Sequence, residues 1–282
     1  MKRVLVTGAT GFIGNYVIHD LLRKGYTVIA SSPAEDRARL QAWFRQVEYI
    51  PLDLSAISPD ADYFEFFRRP DSMIHLAWEG LPNYKAAFHL EDNLPRHSSF
   101  LTSLIRGGLK DLTVTGTCLE YGLQEGCLSE EMAVCPSNPY SIAKNELRLF
   151  LEKLQGQYPF VLKWVRLFYM YGKGQNPNSL FSQLDKALAN HDTVFNMSGG
   201  QQVRDYLPVE TVAHMLAQIA SQQKVQGIVN CCSGNPITVR EMVENYIVRR
   251  QQSISLNFGY YPYPDYEPFR FWGDVSKLKS IL

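Results

Sequence analysis

The chain has 282 residues, of which 45% are hydrophobic and 20% charged, the balance of an ordinary globular protein. Lys plus Arg and Asp plus Glu each number 28, so the formal net charge is zero and predicts attraction neither to nucleic acid nor to an anionic membrane. The length suits one large domain or two smaller ones. The sequence contains no run of about 18 apolar residues, so no membrane span is predicted.

The first ten segments of the chain alternate between short apolar strands and helices with apolar residues at helical spacing. In chain order they are strand 3–8, helix 12–25, strand 26–32, helix 37–46, strand 47–53, strand 72–78, helix 94–108, strand 112–117, helix 140–157 and strand 160–168. The apolar stripe predicted for the helix at 140–157 consists of Ile142, Leu147, Leu149, Phe150 and Leu154.

This alternation predicts an α/β fold, a Rossmann-type doubly wound parallel sheet, over residues 1–170. After about residue 170, Gly, Asn and Pro cluster, which predicts a smaller, loop-rich C-terminal substrate lobe over 171–282. The helical segments 179–190 and 209–220 suit packing on either lobe, so some of the C-terminal part is expected to return to the first domain.

The turn between the first strand and the first helix is rich in glycine, with the spacing GxxGxxG. Glycines here allow a tight turn and a close approach to a pyrophosphate, which free N–H groups at the helix end then hold. The turn residues that we expect at a dinucleotide are Gly8, Thr10, Gly11, Phe12, Ile13 and Gly14.

The second strand ends near Ser32, where an NAD site usually has a carboxylate for the ribose hydroxyls. A 2′-phosphate would not be repelled there, and Arg37 or Arg39 is within reach of it. We therefore expect NADP(H) or NAD(H), with a slight preference for NADP(H). Glu35 or Asp36 supplies the alternative in which the loop brings a carboxylate back.

Asp53, the cysteines and the histidines complete the candidate chemistry. Asp53 follows the third strand, and suits either contact with the adenine edge or an N-cap. Five cysteines without a CxxC pair favour a reduced, cytoplasmic setting over a disulfide framework. The six histidines show neither HxH nor HExxH spacing, so no metal is predicted.

Tyr140 and Lys144 are four residues apart and share one helix face. A free phenol has a pKa of about 10, and moving it by three units costs about 4 kcal/mol, which a nearby ammonium is able to supply. Thr117 ends a predicted strand upstream, where ligands collect in parallel sheets. The three residues predict proton transfer at a substrate oxygen, and a surface tyrosine beside a solvated lysine is the alternative.

Several motifs, taken in their order along the chain, resemble those of a known family. "TGATGFIG", "IHLAW", "NLPRHSSFL", "TGTCLEYG", "NPYSIAK" and "VRDYLPVETVA" resemble successive motifs of the extended short-chain dehydrogenase/reductases, over almost the whole chain. These are NAD(P)-dependent nucleotide-sugar epimerases, dehydratases and reductases. The resemblance implies a catalytic triad of Thr117, Tyr140 and Lys144.

The same resemblance implies further contacts. Cofactor contacts are implied for Leu54, Leu76, Ala77 and Asn93. Arg204, and less firmly Arg270, would meet the diphosphate of a nucleotide sugar, since an arginine fork suits phosphate; surface ion pairs are the alternative. Relatives often dimerise through the helices that precede and carry the Tyr-Lys motif, which leaves a homodimer open.

The reaction type follows from departures within the motifs. The family's dehydratases have an Asp-Glu pair after the catalytic Thr, whereas Cys118 and Leu119 stand here. Glu120 is one place too late, and its side chain is expected to point to the other side of the segment. Dehydration is therefore disfavoured.

Residues 78–85 resemble the 4-ketoreductases that reduce a dTDP-4-keto-6-deoxyhexose to a deoxy sugar, with Trp78 and Tyr84 lining the sugar pocket. NAD(P)H-dependent reduction of such a nucleotide sugar is the predicted function. The alternatives are a nucleotide-sugar 4-epimerase that keeps its NAD bound and, in another class, a non-catalytic NAD(P)-sensing protein.

Overall fold

The computed structural model describes residues 2–282 as fifteen strands and nine helices joined by turns. The strands are β1 (Arg3–Thr7), β2 (Thr27–Ser31), β3 (Glu48–Tyr49), β4 (Ser72–His75), β5 (Asp111–Thr117), β6 (Gly126–Leu128), β7 (Val161–Leu167), β8 (Tyr169–Tyr171), β9 (Val194–Asn196), β10 (Val203–Arg204), β11 (Tyr206–Pro208), β12 (Gly227–Cys231), β13 (Ile237–Thr238), β14 (Ser255–Asn257) and β15 (Phe271–Gly273). The helices are α1 (Phe12–Arg23), α2 (Glu35–Arg39), α3 (Tyr63–Phe66), α4 (Leu94–Gly107), α5 (Pro139–Gln155), α6 (Leu180–Ala189), α7 (Val209–Ser221), α8 (Val239–Arg249) and α9 (Ser276–Lys279).

Seven strands form one parallel sheet in the order β12-β7-β5-β4-β1-β2-β3. β1 pairs with β2 on one side and with β4 on the other, so the strand order reverses at β1. Ligands of open parallel sheets bind at the carboxyl ends of the strands beside such a reversal. The predicted Rossmann-type fold is confirmed.

The two faces of the sheet carry separate cores because successive strand residues point to opposite sides. Val4 and Val6 of β1 pack in a core that includes residues of α1 and α7. Leu5 lies in the other core, with residues of α4 and α5. The helices therefore cover both faces of the sheet, as doubly wound folds require.

The C-terminal part contains elements of both lobes. α6 and α8 share a core of their own, which includes Phe181, Leu184, Val243 and Tyr246. In contrast, α7 packs in the core that contains β1, and β12 pairs with β7 at one edge of the parallel sheet. The segment 209–231 thus lies with the Rossmann sheet, whereas α6 and α8, on either side of it in the chain, pack together in a separate core.

The prediction of one helix over 37–46 is wrong. α2 ends at Arg39, Leu40 is 85% exposed, and a single 3₁₀ turn covers Phe44–Gln46. Trp43 is fully buried and its indole N–H donates to the Asn15 side-chain oxygen at 2.7 Å. The chain turns to insert this side chain, which a continuous helix would not allow.

The predicted apolar stripe of α5 is also partly wrong. Leu147 and Leu154 are buried, but Leu149 and Phe150 are 36% and 37% exposed. Leu151, which the stripe omits, is fully buried. The buried face of α5 therefore differs from the predicted stripe and includes polar residues such as Asn145 and Arg148.

Within residues 2–282, no helix has the length and apolarity that crossing a membrane requires. The same residues contain no group of three or more His, Cys, Asp or Glu side chains arranged to hold a metal ion. All five cysteines have free thiols, and Cys127 and Cys135 are the two that are exposed.

Candidate active site

Three adjoining cavities follow the carboxyl ends of the parallel strands, and we call them together the groove. The outer cavity, about 190 Å³, lies at the ends of β1 and β2. The central cavity, about 670 Å³, extends from the first turn of α1 to α6. The inner cavity, about 220 Å³, is lined by Thr117 and Tyr140. Shared lining residues join neighbouring cavities, so the groove suits an elongated ligand.

The glycine turn forms the floor of the groove, where backbone atoms approach too closely for side chains. A Cβ on Gly14 would lie 2.2 Å from the Gly8 carbonyl oxygen, and one on Gly8 would lie 2.8 Å from the Ala77 nitrogen. Gly8 also has a φ of +69°, in the region that favours glycine. The backbone of this turn therefore leaves no room for a side chain at Gly8 or Gly14.

The first turn of α1 offers free backbone donors to the groove. No side chain of the described residues caps this helix at Gly11, and its first turn contains no acidic residue. Gly11, Phe12, Ile13 and Gly14 all line the central cavity. Unpaired N–H groups at a positive helix end attract phosphate. These residues fit the diphosphate of a nicotinamide dinucleotide.

Hydroxyl groups mark the end of β2. Thr10 donates its hydroxyl hydrogen to the Ser32 hydroxyl oxygen at 3.0 Å. The Tyr49 hydroxyl donates to the Ser32 carbonyl oxygen at 2.7 Å. Ser32 lines the outer cavity, whereas Arg37 is exposed and is not among the lining residues. The predicted contact of Arg37 with the cofactor stays a prediction.

Two other expected cofactor contacts also lie outside the lining. Asp53 is exposed and its carboxylate accepts the Ser55 N–H at 2.8 Å, so the predicted N-cap is present, and the contact with the adenine edge stays a prediction. Asn93 is buried and donates to the Glu79 carbonyl oxygen at 3.1 Å, so it holds the loop after β4. Leu54 lines the outer cavity, and its contact with the cofactor stays a prediction.

The structure brings the catalytic candidates together at the carboxyl end of β5. Tyr140 and Thr117 are each 7% exposed, both line the inner cavity, and the Thr117 hydroxyl interacts with the phenol. Lys144 lies one turn further along α5, is 2% exposed, and donates from Nζ to the Thr115 carbonyl oxygen at 2.9 Å. Asn138 caps the helix through the Ser141 N–H at 3.0 Å, which fixes where this face begins.

The titration of this pair differs from the expectation. Burial raises the pKa of Tyr140 well above its ordinary value. Burial also lowers the pKa of Lys144, to about 7. The expected lowering of the phenol pKa is therefore wrong for the chain alone: the lysine has lost its proton before the phenol titrates, so its charge is absent when it would act.

Aromatic rings enclose the ammonium and the phenol. The ring centroid of Trp78 lies 4.1 Å from Lys144 Nζ and 4.6 Å from the ring centroid of His97. The Tyr84 and Tyr140 rings are 5.4 Å apart. Trp78 and Tyr84 both line the groove, where the sequence analysis places them. Cation–π contact with Trp78 partly compensates the ammonium for lost water.

A chain of buried hydrogen bonds supports the rings. The Thr7 hydroxyl lies 2.7 Å from His75 Nδ1, and His75 Nε2 lies 2.7 Å from His97 Nδ1. Burial lowers the pKa of His75 to about 3, so the imidazole is neutral. His97 lines the outer cavity and was missed by the sequence analysis, because a histidine on a helix face has no local signal for this role.

Neither predicted diphosphate arginine lines the groove. Arg204 is 2% exposed and donates to the Glu267 carboxylate at 2.9 Å and to the Phe269 carbonyl oxygen at 3.1 Å. Arg270 is exposed, and its backbone pairs with Val203. Arg204 therefore contacts the groove through Glu267, which lines the central and inner cavities.

Glu267 and Tyr266 are groove residues that the sequence analysis missed. Glu267 lines the central and inner cavities. The Tyr266 ring lies 5.7 Å from that of Tyr84, and Asp265 pairs with Lys85 at 3.0 Å. The pairing of β15 with β6 brings this segment across the molecule, so no local pattern at 265–267 indicates the role.

A glycine turn at a helix end, and a Thr, Tyr and Lys set at the carboxyl end of a parallel sheet, together define a Rossmann-type oxidoreductase. A model described as the NAD dependent epimerase/dehydratase family matches residues 4–232, and the chain belongs to this family. The predicted family is thereby confirmed.

Relatives of known name agree with this assignment. A dTDP-6-deoxy-L-talose 4-dehydrogenase (NAD(+)) of Aggregatibacter actinomycetemcomitans is 31% identical over 272 residues, which cover 96% of this chain and 98% of the relative. A UDP-glucuronate 4-epimerase of Thermodesulfobacterium geofontis is 24% identical, covering 100% and 90%. The crystal structure of a UDP-glucose-4-epimerase from Stenotrophomonas maltophila superposes with a TM-score of 0.86 at 18% identity, covering 100% and 92%, which shows the shared fold.

Proposed function

We propose that the protein reduces a 4-keto-6-deoxy sugar nucleotide, dTDP-linked, to the deoxy-sugar nucleotide with NAD(P)H. The observation that carries the proposal is the pair of hydroxyls of Thr117 and Tyr140, side by side in the inner cavity at the end of a dinucleotide groove. The relative that is 31% identical is named as a 4-dehydrogenase of a dTDP-linked 6-deoxy sugar, which is the reverse direction of this reaction.

The two hydroxyls suit a carbonyl oxygen that becomes an alcohol. Thr117 and Tyr140 hold the keto oxygen by hydrogen bonds, and the bound dinucleotide supplies the hydride that the carbonyl carbon accepts. Tyr140 gives its phenolic proton to the oxygen and regains one from solvent. Lys144, while charged, stabilises the phenolate left behind. The raised pKa of Tyr140 keeps the proton available for donation at neutral pH.

The lining of the inner cavity supports a 6-deoxy sugar. Most of its side chains are apolar, among them Leu81, Leu119, Phe168 and Met170. A methyl group at C5 of the sugar suits such a surface. Glu267 is the one acidic lining residue of this cavity, and it disfavours a sugar with a carboxylate there.

Cofactor choice follows from the end of β2. Ser32 and Tyr49 present hydroxyls at this strand end, and the carboxylate that lines the outer cavity, Glu79, comes from the loop after β4. The end of β2 itself therefore places no carboxylate against a 2′-phosphate. Arg37 is exposed nearby on α2 and is free to turn towards it. We infer that both NADH and NADPH bind, with NADPH preferred by less than about tenfold.

The substrate's diphosphate is assigned to Arg204, with Arg270 as the second candidate. Arg204 already binds a carboxylate of the groove lining, Glu267, so the guanidinium stands next to the substrate space. A diphosphate can accept the same pair of hydrogen bonds from the guanidinium and carries more negative charge than a carboxylate. On binding, the diphosphate of the substrate replaces the Glu267 carboxylate at Arg204.

A 4-epimerase is the second candidate, and the relative named as UDP-glucuronate 4-epimerase favours it. An epimerase returns the hydride to the same sugar and therefore keeps its cofactor. Stoichiometric NAD in the purified protein would support the epimerase. Reversible binding of NADPH to a cofactor-free protein would support the reductase.

Tyr140→Phe tests the proposed reduction. Removal of the phenolic proton is expected to lower kcat at least about 100-fold, the usual range for a lost general acid. The dissociation constants of NADH and NADPH, measured by fluorescence titration, should stay within about threefold, a change of less than 1 kcal/mol. Tyr158→Phe, beyond the end of α5, is the control and should leave both quantities unchanged. Unchanged turnover in Tyr140→Phe would exclude this role for the phenol.

A further inference from the structure

Glu120 is a fully buried carboxylate whose hydrogen-bonding capacity is occupied by protein groups. It accepts the Thr117 backbone N–H at 2.9 Å and the Trp164 indole N–H at 3.0 Å. Arg166, also fully buried, donates from Nε to the other carboxylate oxygen at 2.8 Å. The carboxylate of this buried ion pair is thus hydrogen-bonded at both oxygens, whereas Nη1 and Nη2 of Arg166 have no hydrogen-bond partner and the guanidinium lies over the Tyr121 ring. The carboxylate is therefore fixed in one position behind the end of β5.

Gly116 makes room for this arrangement. A Cβ at Gly116 would lie 2.5 Å from Glu120 Oε1 and 2.2 Å from the Trp164 indole nitrogen. The glycine inside β5 thus lets the carboxylate and the indole approach the strand backbone. The Glu120 side chain points away from the substrate side of its segment, as expected. It is buried there against Trp164 and Arg166 and does not face solvent.

The end of β5 also carries the ammonium of the catalytic candidate. Lys144 donates to the Thr115 carbonyl oxygen, and Glu120 accepts the Thr117 N–H, so both charges are attached to the same strand two residues apart. The lysine is 2% exposed and the glutamate fully buried, so little water screens their attraction.

The other titratable groups that face Lys144 do not supply a negative charge. His75 of β4, His97 of α4 and His89 before α4 are all coupled to the lysine, and burial lowers the pKa of each, so they are neutral. Tyr140 of α5 stays protonated, since burial raises its pKa. Among the described residues, Glu120 is the anion whose field raises the pKa of Lys144 against its burial.

We propose that Glu120 is a positioning residue of the active site, which keeps the Lys144 ammonium charged and holds the Thr117 backbone in place. It touches neither substrate nor cofactor, and acts through these two residues. The kinetic part of this inference rests on the proposed reduction, in which the charged lysine stabilises the phenolate. The electrostatic part is a property of the chain alone.

The test is the titration of Lys144 in cofactor-free protein that carries ¹³C at the lysine ε-carbons. NMR spectra from pH 5 to 10 follow each lysine, and Lys144→Met identifies the signal. Glu120→Gln keeps the shape and removes the charge, so the Lys144 midpoint is expected to fall by about one pH unit. Glu146→Gln is the matched control, since it removes an exposed carboxylate two residues from Lys144 on α5 and should leave the midpoint unchanged.

The pH profile of turnover gives the second measurement. The lysine must be protonated to act, so the rate of reduction falls as pH rises through its pKa of about 7. In Glu120→Gln this decline moves to lower pH by the same amount, with KM for the sugar nucleotide nearly constant. The double variant Glu120→Gln/Arg166→Met also removes the positive charge of Arg166. It replaces the single variant in both measurements if Glu120→Gln does not fold. A downward shift is expected there also.

The outcomes separate the two proposals. An unmoved Lys144 signal in both Glu120 variants overturns the inference, whatever the activity. A shifted signal supports it. If the signal shifts but the wild-type protein reduces no keto-sugar nucleotide, the proposed function fails and the electrostatic role of Glu120 stands.

Discussion

Burial decides how the residues at the end of β5 behave, because a phenol and an ammonium respond to lost water in opposite directions. Tyr140 becomes a weaker acid and Lys144 a weaker base, so near pH 7 the pair has a retained phenolic proton and a lysine that is half charged. This state suits donation of a proton to a carbonyl oxygen that is gaining a hydride.

Gly14→Ala tests whether the glycine turn at the floor of the groove requires a residue without a side chain. The new methyl group would lie 2.2 Å from the Gly8 carbonyl oxygen, so the turn must move. We expect a loss of about 1–3 kcal/mol of stability and roughly 10- to 100-fold weaker NADH binding. Thermal unfolding and fluorescence titration measure both. Gly156→Ala, where the nearest atom would be at 3.3 Å, is the control. Equal NADH affinity in the two variants would contradict the steric argument.

Predictability of single residues follows the range of the interactions that place them. The glycine turn and the Tyr140–Lys144 spacing are local, and the sequence predicted where both would lie. For Arg204 the sequence predicted a contact with the diphosphate, which stays a prediction, but it did not predict the ion pair with Glu267, 63 residues away in the chain. A contact of that kind leaves no trace in either local pattern.

Elements that carry site residues show the same dependence on tertiary contacts. α5 (Pro139–Gln155) lies within two residues of the predicted 140–157 at each end, because helical spacing is a local signal. The segment 37–46 has helical spacing too, but burying Trp43 against Asn15 ends α2 after five residues. Tertiary packing overrides helix propensity here because burying the large Trp43 side chain requires the chain to leave the helix.

The exposed apolar pair of α5 leads to a prediction about assembly. Leu149 and Phe150 are 36% and 37% exposed on a helix whose opposite face is in the core. We propose that α4 and α5 form a homodimer interface that covers them. Leu149→Glu/Phe150→Glu should convert a dimer to a monomer in size-exclusion chromatography with light scattering. Val248→Glu, at a 73% exposed site on α8, should not. A wild-type protein that is monomeric at micromolar concentration would contradict the interface.

At the scale of the whole molecule, two distant segments close over the groove. Tyr84 packs against Tyr266, and Lys85 pairs with Asp265, so the loop after β4 meets the segment before β15. The sequence indicated the sheet, since strands and helices alternate locally. It did not indicate which C-terminal segments return to that sheet, because β12 joins β7 through contacts about 64 residues apart, as in the pairing of Val229 with Val165.

Buried histidine makes the whole fold sensitive to acid. The pKa of His75 is lowered to about 3 by burial, whereas an unfolded histidine titrates near 6.5. Between these values the unfolded chain binds more protons, so stability rises with pH and is lost as pH falls below about 6.5. From pH 6.5 to 5 the loss through this residue should be about 2 kcal/mol. Thr7, His97 and Lys144 face the ring, and the neighbouring His97 adds a loss in the same direction.

His75→Gln isolates this contribution, because glutamine hydrogen-bonds but takes up no proton in this range. Urea unfolding at pH 7.5 and pH 5 should show a stability difference smaller than that of the wild type by about 2 kcal/mol, even if the variant is less stable at both pH values. His191→Asn, at an exposed position with a φ of +58° that asparagine tolerates, is the control and should retain the wild-type difference. An equal pH dependence in His75→Gln and wild type would mean that the imidazole takes up its proton without unfolding, and that the buried chain from Thr7 to His97 accommodates a charge.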